Sequence, residues 1–358
     1  MKYADSWMCI SWLIIKNKAM RSFASDNNSG VHPLVMEAIQ QANQGHAVGY
    51  GDDPWTAEAT ALLKQVFGEQ AEPFFVFNGT GANSVALQVV TQPYNSILCA
   101  QTAHIYVDEC GGPARMSGCA VIPIQTSNGK LTPEQVKPHL HNFGVAHHSQ
   151  PKVLYISEAS ELGTIYTREE VCALADLLHE YDMHLHMDGA RLANACAALG
   201  CSMRELTVDC GVDILSFGGT KNGMMTGEAV ISFREEATCV LQYYRKQSAQ
   251  LASKMRYLSA QYIPYLTDNL WLHNAQHANE YAQRLYNILK QHPQIRFTQP
   301  VETNQLFFIM PHEAIDKLMS EFFFYVWDEN CDEVRLVTSW DTTDEDIDML
   351  ESTLKKIL

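Results

Sequence analysis

The order of short apolar runs along this chain constrains its fold more than any other feature. From about residue 74 onward these runs are bounded by turn residues and alternate with longer segments of helical period. Such alternation is typical of a parallel or mixed sheet whose two faces are covered by helices. The predicted strands are Phe74–Phe77, Ser96–Ala100, Val121–Ile124, Val153–Ile156, His184–Met187, Ile214–Phe217 and Ala229–Phe233. The chain is therefore predicted to have an α/β fold with a mostly parallel sheet between helices.

The C-terminal part of the chain has a different pattern, which predicts a second, smaller domain. A long helix is expected over Asn269–Gln291, and another helix is expected to begin at Thr343. Between them lie strand-like segments with the sequences I-R-F-T, Q-L-F-F-I-M, F-F-F-Y-V-W and V-R-L-V-T. Strands followed by helices indicate an α+β unit. We therefore expect a large domain over residues 20–265 and a small C-terminal domain over residues 266–358.

Residues 1–19 are predicted to lie outside this fold. The apolar run Trp7–Ile15 is too short to span a bilayer, and Lys16 and Lys18 follow it where a signal peptide would have a small-residue cleavage site. Met20 then precedes a segment with turn and helix-cap character. We interpret residues 1–19 as a translated upstream extension, with an export signal or membrane anchor as the alternative.

Composition excludes several classes of protein. With 358 residues, 46% of them hydrophobic, the chain can bury a large core, which excludes a disordered or fibrous protein. Lys and Arg number 25 against 41 Asp and Glu, and the net charge of −16 repels nucleic acid backbones and anionic lipid headgroups. The cysteines are scattered without a C-x-x-C pair, which favours reduced thiols. We therefore expect a cytoplasmic protein that binds neither nucleic acid nor membranes.

A glycine-rich turn, Asn78-Gly79-Thr80-Gly81-Ala82-Asn83, follows the first predicted strand and opens a helical segment. The backbone N–H groups of a helix N-terminus, together with the Thr80 hydroxyl, suit a phosphate group. The turn lacks the Lys-Ser/Thr pair of a P-loop and the spacing of a dinucleotide fingerprint. Alone it is a weak signal, because glycine-rich turns between strands and helices also serve packing.

The run from His184 to Arg191 has the sequence H-L-H-M-D-G-A-R, and strand alternation puts His184, His186 and Asp188 on one face. Three such residues are compatible with a metal site, but no further ligand cluster has supporting spacing, so we predict no metal. The alternative is a buried parallel strand that ends in Asp188. Ligands of open α/β sheets bind outside such strand ends.

Lys221 lies among small residues in S-F-G-G-T-K-N-G, directly after a predicted strand. A lysine in such a turn can lose its hydration, and its amine can then act as a nucleophile towards an aldehyde. A phosphate turn, an acid at a strand end and a later lysine are together the groups that pyridoxal phosphate requires. Their order along the chain is much more specific than any one of them.

These residues belong to a longer set of motifs, which resembles the threonine aldolase and β-eliminating lyase family of fold-type-I pyridoxal phosphate enzymes. The resemblance extends from about Ser25 to the C-terminus. Its motifs are S-D at Ser25–Asp26, Y-G-D-D-P at Tyr50–Pro54, N-G-T-G-A-N, A-H-I-Y at Ala103–Tyr106, M-D-G-A-R and the K-N-G lysine. The resemblance implies the fold-type-I architecture with a seven-stranded sheet, pyridoxal 5′-phosphate as the cofactor, and a homotetramer.

The resemblance also implies the roles of individual residues at the cofactor. Lys221 would carry the cofactor as a Schiff base, and Asp188 would pair with the pyridinium nitrogen. His104 would stack against the ring. The phosphate and the remaining edge of the cofactor would be held by Gly79, Thr80, Gly81, Arg191 and, from a neighbouring subunit, Arg256.

The substrate carboxylate would be bound by Arg191, Arg335 and Ser25, again by resemblance. Guanidinium groups suit this task because they meet a carboxylate with two parallel hydrogen bonds. The turn Tyr50–Asp53 is likewise expected at a subunit contact near the site.

One segment departs from the family pattern. Threonine aldolases typically have E-N-T-H-N after a strand, whereas this chain has S-E-A-S-E-L-G, with Glu161 where the histidine would stand. Cleavage of the Cα–Cβ bond requires removal of the β-hydroxyl proton, so the base is Glu161, His104 or a water molecule. Alternatively, Glu161 is a surface or helix-cap residue.

The expected activity is a carbon–carbon lyase that converts a β-hydroxy-α-amino acid, such as L-threonine, L-allo-threonine or phenylserine, into glycine and an aldehyde. The nearest alternative is a β-eliminating lyase with the same cofactor, which releases pyruvate and ammonia. Less favoured are an aminotransferase, a non-catalytic cofactor-binding protein and a nicotinamide dehydrogenase. The missing dinucleotide fingerprint argues against the dehydrogenase.

Overall fold

A computed structural model describes residues 21–141 and 143–358. Its large domain is built on a seven-stranded sheet in the order β1-β7-β6-β5-β4-β2-β3. Strands β2 to β6 run parallel, and β7 is antiparallel to both β1 and β6. The strands are β1 (Glu72–Val76), β2 (Asn95–Ala100), β3 (Ala120–Ile124), β4 (Gln150–Ser157), β5 (His184–Gly189), β6 (Ile214–Gly218) and β7 (Glu228–Ser232). The predicted α/β class and mostly parallel sheet are confirmed.

Helices cover this sheet, and their caps follow from the sequence. Helix α7 (Arg168–Glu180) begins with a capping box in which the Thr167 hydroxyl accepts from the Glu170 N–H. Its buried residues Val171, Leu174 and Leu178 recur on one stripe that packs into the main core. The helices are α1 (Pro33–Ala42), α2 (Pro54–Phe67), α3 (Gly79–Val90), α4 (His104–Val107), α5 (Gly112–Ser117), α6 (Pro133–Val136), α7 (Arg168–Glu180), α8 (Leu192–Leu199), α9 (Met203–Leu206), α10 (Glu235–Gln247), α11 (Arg256–Ser259), α12 (Tyr262–Leu266) and α13 (Leu270–Leu289).

Sheet register brings the functional strand ends together. Ser157, at the end of β4, pairs with Asp188 of β5, and Asp188 pairs in turn with Ser216 of β6. The turn after β1 lies at the same edge of the sheet, because Phe77 O accepts from the Thr226 hydroxyl just before β7. This edge carries the candidate site.

The small domain has an antiparallel sheet in the order β10-β11-β9-β8. Helices α14 (His312–Met319) and α15 (Asp344–Ile357) pack against each other beside it. The elements are β8 (Arg296–Phe297), β9 (Gln305–Ile309), α14 (His312–Met319), β10 (Tyr325–Asp328), β11 (Glu333–Val337) and α15 (Asp344–Ile357).

Two features cross the predicted domain division. Phe23 lies in the core of the small domain, and its N–H donates to Phe323 O. Helix α13 belongs to both cores, since Trp271 packs in the large one and Leu285 in the small one. The two domains therefore share a helix and the start of the described chain, which holds them in a defined relation.

Three further expectations concern the N-terminal extension, the cysteines and membrane-spanning helices. The predicted extension 1–19 lies outside the described residues. The cysteines within residues 21–141 and 143–358 are free thiols. None of the helices within these ranges is long and apolar enough to cross a membrane.

Candidate active site

Two adjoining pockets form one cleft at the carboxyl edge of the sheet. Both pockets are lined by Gly79, His104, Ala190 and Lys221. The inner one also contains Asn83, Ser157, Ala159, Glu161, Asp188 and Arg191, and the outer one contains Asn27, Phe77, Asn78, Thr80, Thr220, Thr226 and Glu228. The cleft thus unites residues that are far apart in the sequence.

The outer pocket ends at the N-terminus of helix α3. The Asn78 side chain caps this helix by accepting from the Gly81 N–H at 2.7 Å. Gly79 and Thr80 line the pocket, and the N–H groups of a first helical turn have no acceptor within the helix. Gly81 instead faces the Gln250 amide, which would collide with a Cβ at this position. Gly79 and Thr80 therefore suit an anion, while Gly81 is required for packing.

Asp188 lies at the end of β5 and is 8% exposed. Its Oδ2 accepts from the Tyr155 hydroxyl at 2.7 Å and from Asn83 Nδ2 at 2.8 Å, and its Oδ1 accepts from the Ala190 N–H at 2.9 Å. Burial alone would raise the pKa of this carboxyl, but the hydrogen bonds and the charges of Lys221 and His104 hold it below its usual value. Asp188 is therefore a carboxylate that can pair with a cationic ring nitrogen.

Lys221 lies in a short 3-10 helix, Thr220–Asn222, directly after β6. Burial lowers the pKa of its amine, and the charge of Arg191 lowers it further. The carboxylates of Asp26, Asp188 and Glu228 oppose this effect without reversing it. An amine with a lowered pKa has a larger neutral fraction, which is the nucleophilic form.

Glu228 is a buried carboxyl beside this lysine. Thr220 donates its hydroxyl to Glu228 Oε1 at 2.7 Å, and burial raises the pKa of Glu228 to about 7. The second oxygen packs against Gly218, where no side chain would fit. The glycine at position 218 is thus explained by its close contact with Glu228, which follows Lys221 in the chain.

His104 opens helix α4, and its side chain is 39% exposed at the cleft. Its Nδ1 lies 2.8 Å from Glu109 Oε1. This hydrogen bond is the main cause that raises the pKa of the imidazole, against the opposite effect of burial.

Glu161 lines the inner pocket and also supports the start of the His104 helix. Its Oε1 accepts the backbone N–H of His104 at 2.9 Å and the Ser157 hydroxyl at 2.5 Å. Burial raises the pKa of this carboxyl above its usual value, although both hydrogen bonds lower it. Glu161 is therefore neither a surface residue nor a cap of its own helix: it caps α4 from a distant segment and faces the cleft.

Arg191 forms a bidentate salt bridge with Asp26. Its Nε and Nη2 donate to the two carboxylate oxygens at 2.8 and 2.9 Å, and Asn304 also donates to this carboxylate. One edge of the Arg191 guanidinium is consequently taken by Asp26. Its roles at the cofactor and at the substrate carboxylate remain predictions. They depend on the guanidinium N–H groups that are not bound to Asp26.

Arg335, on β11, lies close to this pair. Its Nη2 donates to Ala24 O at 3.0 Å, and its guanidinium stacks on Trp327, 4.8 Å from the ring centroid. The buried Nε has no hydrogen-bond partner among the described residues. Burial and the charge of Arg191 lower the pKa of Arg335 to about 10, so the group is charged at neutral pH. The Asp26 carboxylate balances only one of the two positive charges of Arg191 and Arg335. The pair is therefore suited to bind a second anion.

Ser25 and Arg256 occupy very different positions. Ser25 lies between Ala24, whose carbonyl accepts from Arg335, and Asp26, which binds Arg191. Its hydroxyl accepts from the Asn27 N–H. Arg256 lines a separate pocket near Gly45, to whose carbonyl it donates, and does not line the cleft of its own chain.

The two histidines before Asp188 have structural partners. His186 Nε2 lies 2.9 Å from the Ser216 hydroxyl, and burial lowers the pKa of its imidazole to about 4. His184 lies near Asp213 at the other end of β5. Within residues 21–141 and 143–358, no group of three His, Cys, Asp or Glu side chains could hold a metal ion.

Sequence reasoning missed five residues that complete this site: Asp26, Asn83, Glu109, Tyr155 and Glu228. Asp26 and Asn83 lie within recognised motifs, and Glu109 follows His104 closely, so these three had a local signal. Tyr155 and Glu228 had none, since each is one residue of an ordinary buried strand.

Comparison with known proteins gives consistent results. The profile of a family described as beta-eliminating lyase matches residues 22–313. A low specificity L-threonine aldolase from Pseudomonas aeruginosa is 41% identical over 342 residues, which cover 94% of this chain and 98% of that protein. Another from a Pseudomonas species is 40% identical over 339 residues, with the same shares covered.

Solved structures show the same relationship. A threonine aldolase from Leishmania major superposes with a TM-score of 0.89 and 28% identity, covering 94% of this chain and 99% of that one. An aspartate aminotransferase from Thermus thermophilus has a TM-score of 0.71 at 16% identity, covering all of this chain and 97% of that one, which indicates a shared fold alone.

Proposed function

Because the chain belongs to the beta-eliminating lyase family, we propose that it is a low-specificity L-threonine aldolase. Its substrates are then β-hydroxy-α-amino acids such as L-threonine, L-allo-threonine and L-phenylserine, and its products are glycine and an aldehyde. The observation that carries this proposal is the half-buried Lys221 amine, which shares one cleft with the Asp188 carboxylate and the N-terminus of α3.

The cleft fits pyridoxal 5′-phosphate. Lys221 has an amine with a lowered pKa, Asp188 is held as a carboxylate, and Gly79 and Thr80 offer helix N–H groups to a phosphate. When bound, this cofactor supplies an electron sink for the electron pair that is left at Cα when the Cα–Cβ bond breaks. The Lys221 amine is suited to hold and return the proton at Cα, since its lowered pKa brings it nearer to neutral pH.

Arg335 is the stronger candidate for the substrate carboxylate. Its buried Nε lacks a partner among the described residues, whereas one edge of Arg191 is already bound to Asp26. We infer that Ser25, which lies between the two contacts, adds a hydroxyl donor to the same anion.

Replacing Arg335 tests this role. We expect Arg335→Lys to raise KM for L-threonine roughly 10- to 100-fold, because a charge-assisted hydrogen bond is worth about 1.5–3 kcal/mol and an ammonium group lacks the planar fork. Steady-state kinetics would show a smaller change in kcat than in KM. A change in kcat alone would contradict the assignment. Arg284→Lys, on the exposed surface of α13, serves as the control.

Glu161 is the favoured acceptor of the β-hydroxyl proton. Its carboxylate faces the inner pocket, and burial brings its pKa closer to neutral, where a general base is most effective. It also fixes the start of α4, so its removal has two effects that one variant cannot separate.

A pair of variants separates these two effects. Glu161→Gln keeps an oxygen for the His104 N–H but cannot take a proton, so we expect kcat to fall about 10²–10⁴-fold with little loss of stability. Glu161→Ala removes both functions and is expected to lower kcat and the melting temperature together. Glycine and aldehyde formation and thermal unfolding measure these effects. Wild-type turnover by Glu161→Gln would exclude the carboxylate as the base.

The product decides between aldol cleavage and β-elimination. Purified protein with added cofactor is given L-threonine, L-allo-threonine, L-phenylserine and L-serine, and aldehyde, glycine and pyruvate are measured separately. We expect glycine and aldehyde in equal amounts. Pyruvate without glycine would assign the chain to the β-eliminating branch of the family.

We also propose that the active form is a homotetramer in which Arg256 serves the cleft of a neighbouring subunit. Arg256 lies away from its own cleft, and the nearby Tyr50 and Val48 are exposed apolar side chains that suit a subunit contact. Light scattering of the purified protein would test the assembly, and Arg256→Ala should weaken cofactor binding. A fully active monomer would overturn this proposal.

A further inference from the structure

We propose that Glu109 is the positioning residue of His104: it holds the imidazole in its protonated form, and Asn83 ties this pair to Asp188. His104 then presents an N–H donor to the cleft and does not act as the base. The role in catalysis rests on the proposed aldol cleavage, whereas the protonation of His104 does not.

Glu109 is buried, with a side chain that is not exposed at all. Its Oε1 lies 2.8 Å from both His104 Nδ1 and Asn83 Nδ2, and its Oε2 has no partner among the described residues. A carboxylate in such a place is stable only when a positive charge or good donors compensate for the lost hydration. The His104 imidazole is the contacting group that can carry this positive charge.

Asn83 connects this carboxylate to the one at the end of β5. Its Nδ2 donates at 2.8 Å to Glu109 Oε1 and at 2.8 Å to Asp188 Oδ2. The orientation of the amide follows from chemistry, because an amide oxygen in the same place would face two carboxylate oxygens. One amide group thus uses both of its hydrogens to hold two carboxylates in a fixed relation.

The charges around His104 favour the imidazolium form on balance. The Glu109 hydrogen bond raises the pKa of His104 most, and the charge of Asp188 raises it further. Burial and the charge of Lys221 act in the opposite direction. Glu161 contacts the residue at its backbone N–H, not at the ring.

A protonated ring has one consequence for the reaction. Because Nδ1 donates to Glu109, the only ring nitrogen left for the cleft is Nε2, which then also carries a hydrogen. Such a group can donate to an oxygen but cannot accept the β-hydroxyl proton. The base at the substrate is then Glu161, or a water molecule bound to it.

The experiment measures the protonation of His104 directly. Diethyl pyrocarbonate modifies only neutral imidazole, and peptide mass spectrometry gives the modification rate of His104 as a function of pH. The full-length protein is used before and after loading with pyridoxal phosphate. We expect the wild-type rate to rise only above the usual imidazole pKa of about 6.5. In Glu109→Gln, the midpoint should fall and modification near that pH should become several-fold faster.

Glu158→Gln is the matched control, since Glu158 is also a fully buried carboxyl of the site region but contacts the Tyr166 N–H and not His104. It should leave the His104 midpoint in place. Glu109→Asp keeps a carboxylate with a shorter reach, so its His104 midpoint should lie below that of wild type but above the usual value of about 6.5, which covers the case in which the amide variant fails to fold. Equal His104 midpoints in wild type and in the Glu109 variants would overturn the inference. A shifted midpoint in a protein without aldolase activity would overturn the proposed function and leave this inference standing.

Discussion

Lys221→Ala is expected to abolish the visible absorbance band of the cofactor-loaded protein and to lower kcat by at least the roughly 10²–10⁴-fold that a positioned acid–base group contributes. The reason is that the Lys221 amine is the proposed nucleophile and proton carrier of the cleft, and its pKa is lowered by burial and by Arg191. No neighbouring amine can replace it, because the described residues that line both pockets include no second lysine. Absorbance spectra and borohydride reduction followed by peptide mapping measure the covalent link.

Lys130→Ala is the appropriate control for this experiment. Lys130 is also partly buried, but its amine is bound to Glu170 and to Ile165 O and does not line the cleft. It should retain the absorbance band. Pyridoxyl modification at a lysine other than Lys221 would show that the cofactor site has been assigned to the wrong residue.

Asp188→Asn is also expected to have a large effect, a fall in kcat of about 10²–10³-fold. The carboxylate charge that would hold a protonated ring nitrogen is lost, while the side chain keeps its size. The amide nitrogen would face donors in either orientation, namely Tyr155 and Asn83 at the Oδ2 position or the Ala190 N–H at the Oδ1 position. Steady-state kinetics and a cofactor titration by fluorescence would separate the effect on turnover from the effect on binding.

The same variant has a stability effect that depends on pH. Unpaired buried donors cost about 1–3 kcal/mol, so the free energy of unfolding of the cofactor-free variant should be lower by this amount at pH 7. The pKa of Asp188 is lowered in the folded protein, so its contribution is present above the unfolded pKa of about 3.9 and is lost as the pH falls through the folded value. Urea unfolding should therefore give a difference between wild type and variant that shrinks in acid. A difference that is constant down to the acid limit would contradict this explanation.

Much of the fold was predictable because its signals are local. Each predicted strand of the large domain overlaps an observed one, and the long helix was expected at Asn269–Gln291 and is observed at Leu270–Leu289. Apolar runs, caps and turns determine such elements within a few residues of themselves. The sharing of α13 between two cores was not predictable, since one apolar stripe does not reveal which partners it packs against.

Part of the site was predictable for a related reason. Parallel strands place their carboxyl ends at one edge, so Asp188 at the end of β5 and Lys221 after β6 had to lie near each other once the strand order was correct. The glycine-rich turn before α3 joins them because β1 contributes to the same sheet.

The sequence by itself therefore determined the strand and helix pattern, the family motifs and the order of the turn, the acid and the lysine, because each depends on neighbours in the chain. Only the tertiary structure decided which charged side chains contact each other and which backbone groups they bind. It paired Arg191 with Asp26, bound Glu161 to the His104 backbone and placed Glu109 against the His104 ring. Two of these pairs join segments far apart in the chain, and all three depend on side-chain directions in the folded molecule. Protonation depends on those distances and on burial, which exist only after folding.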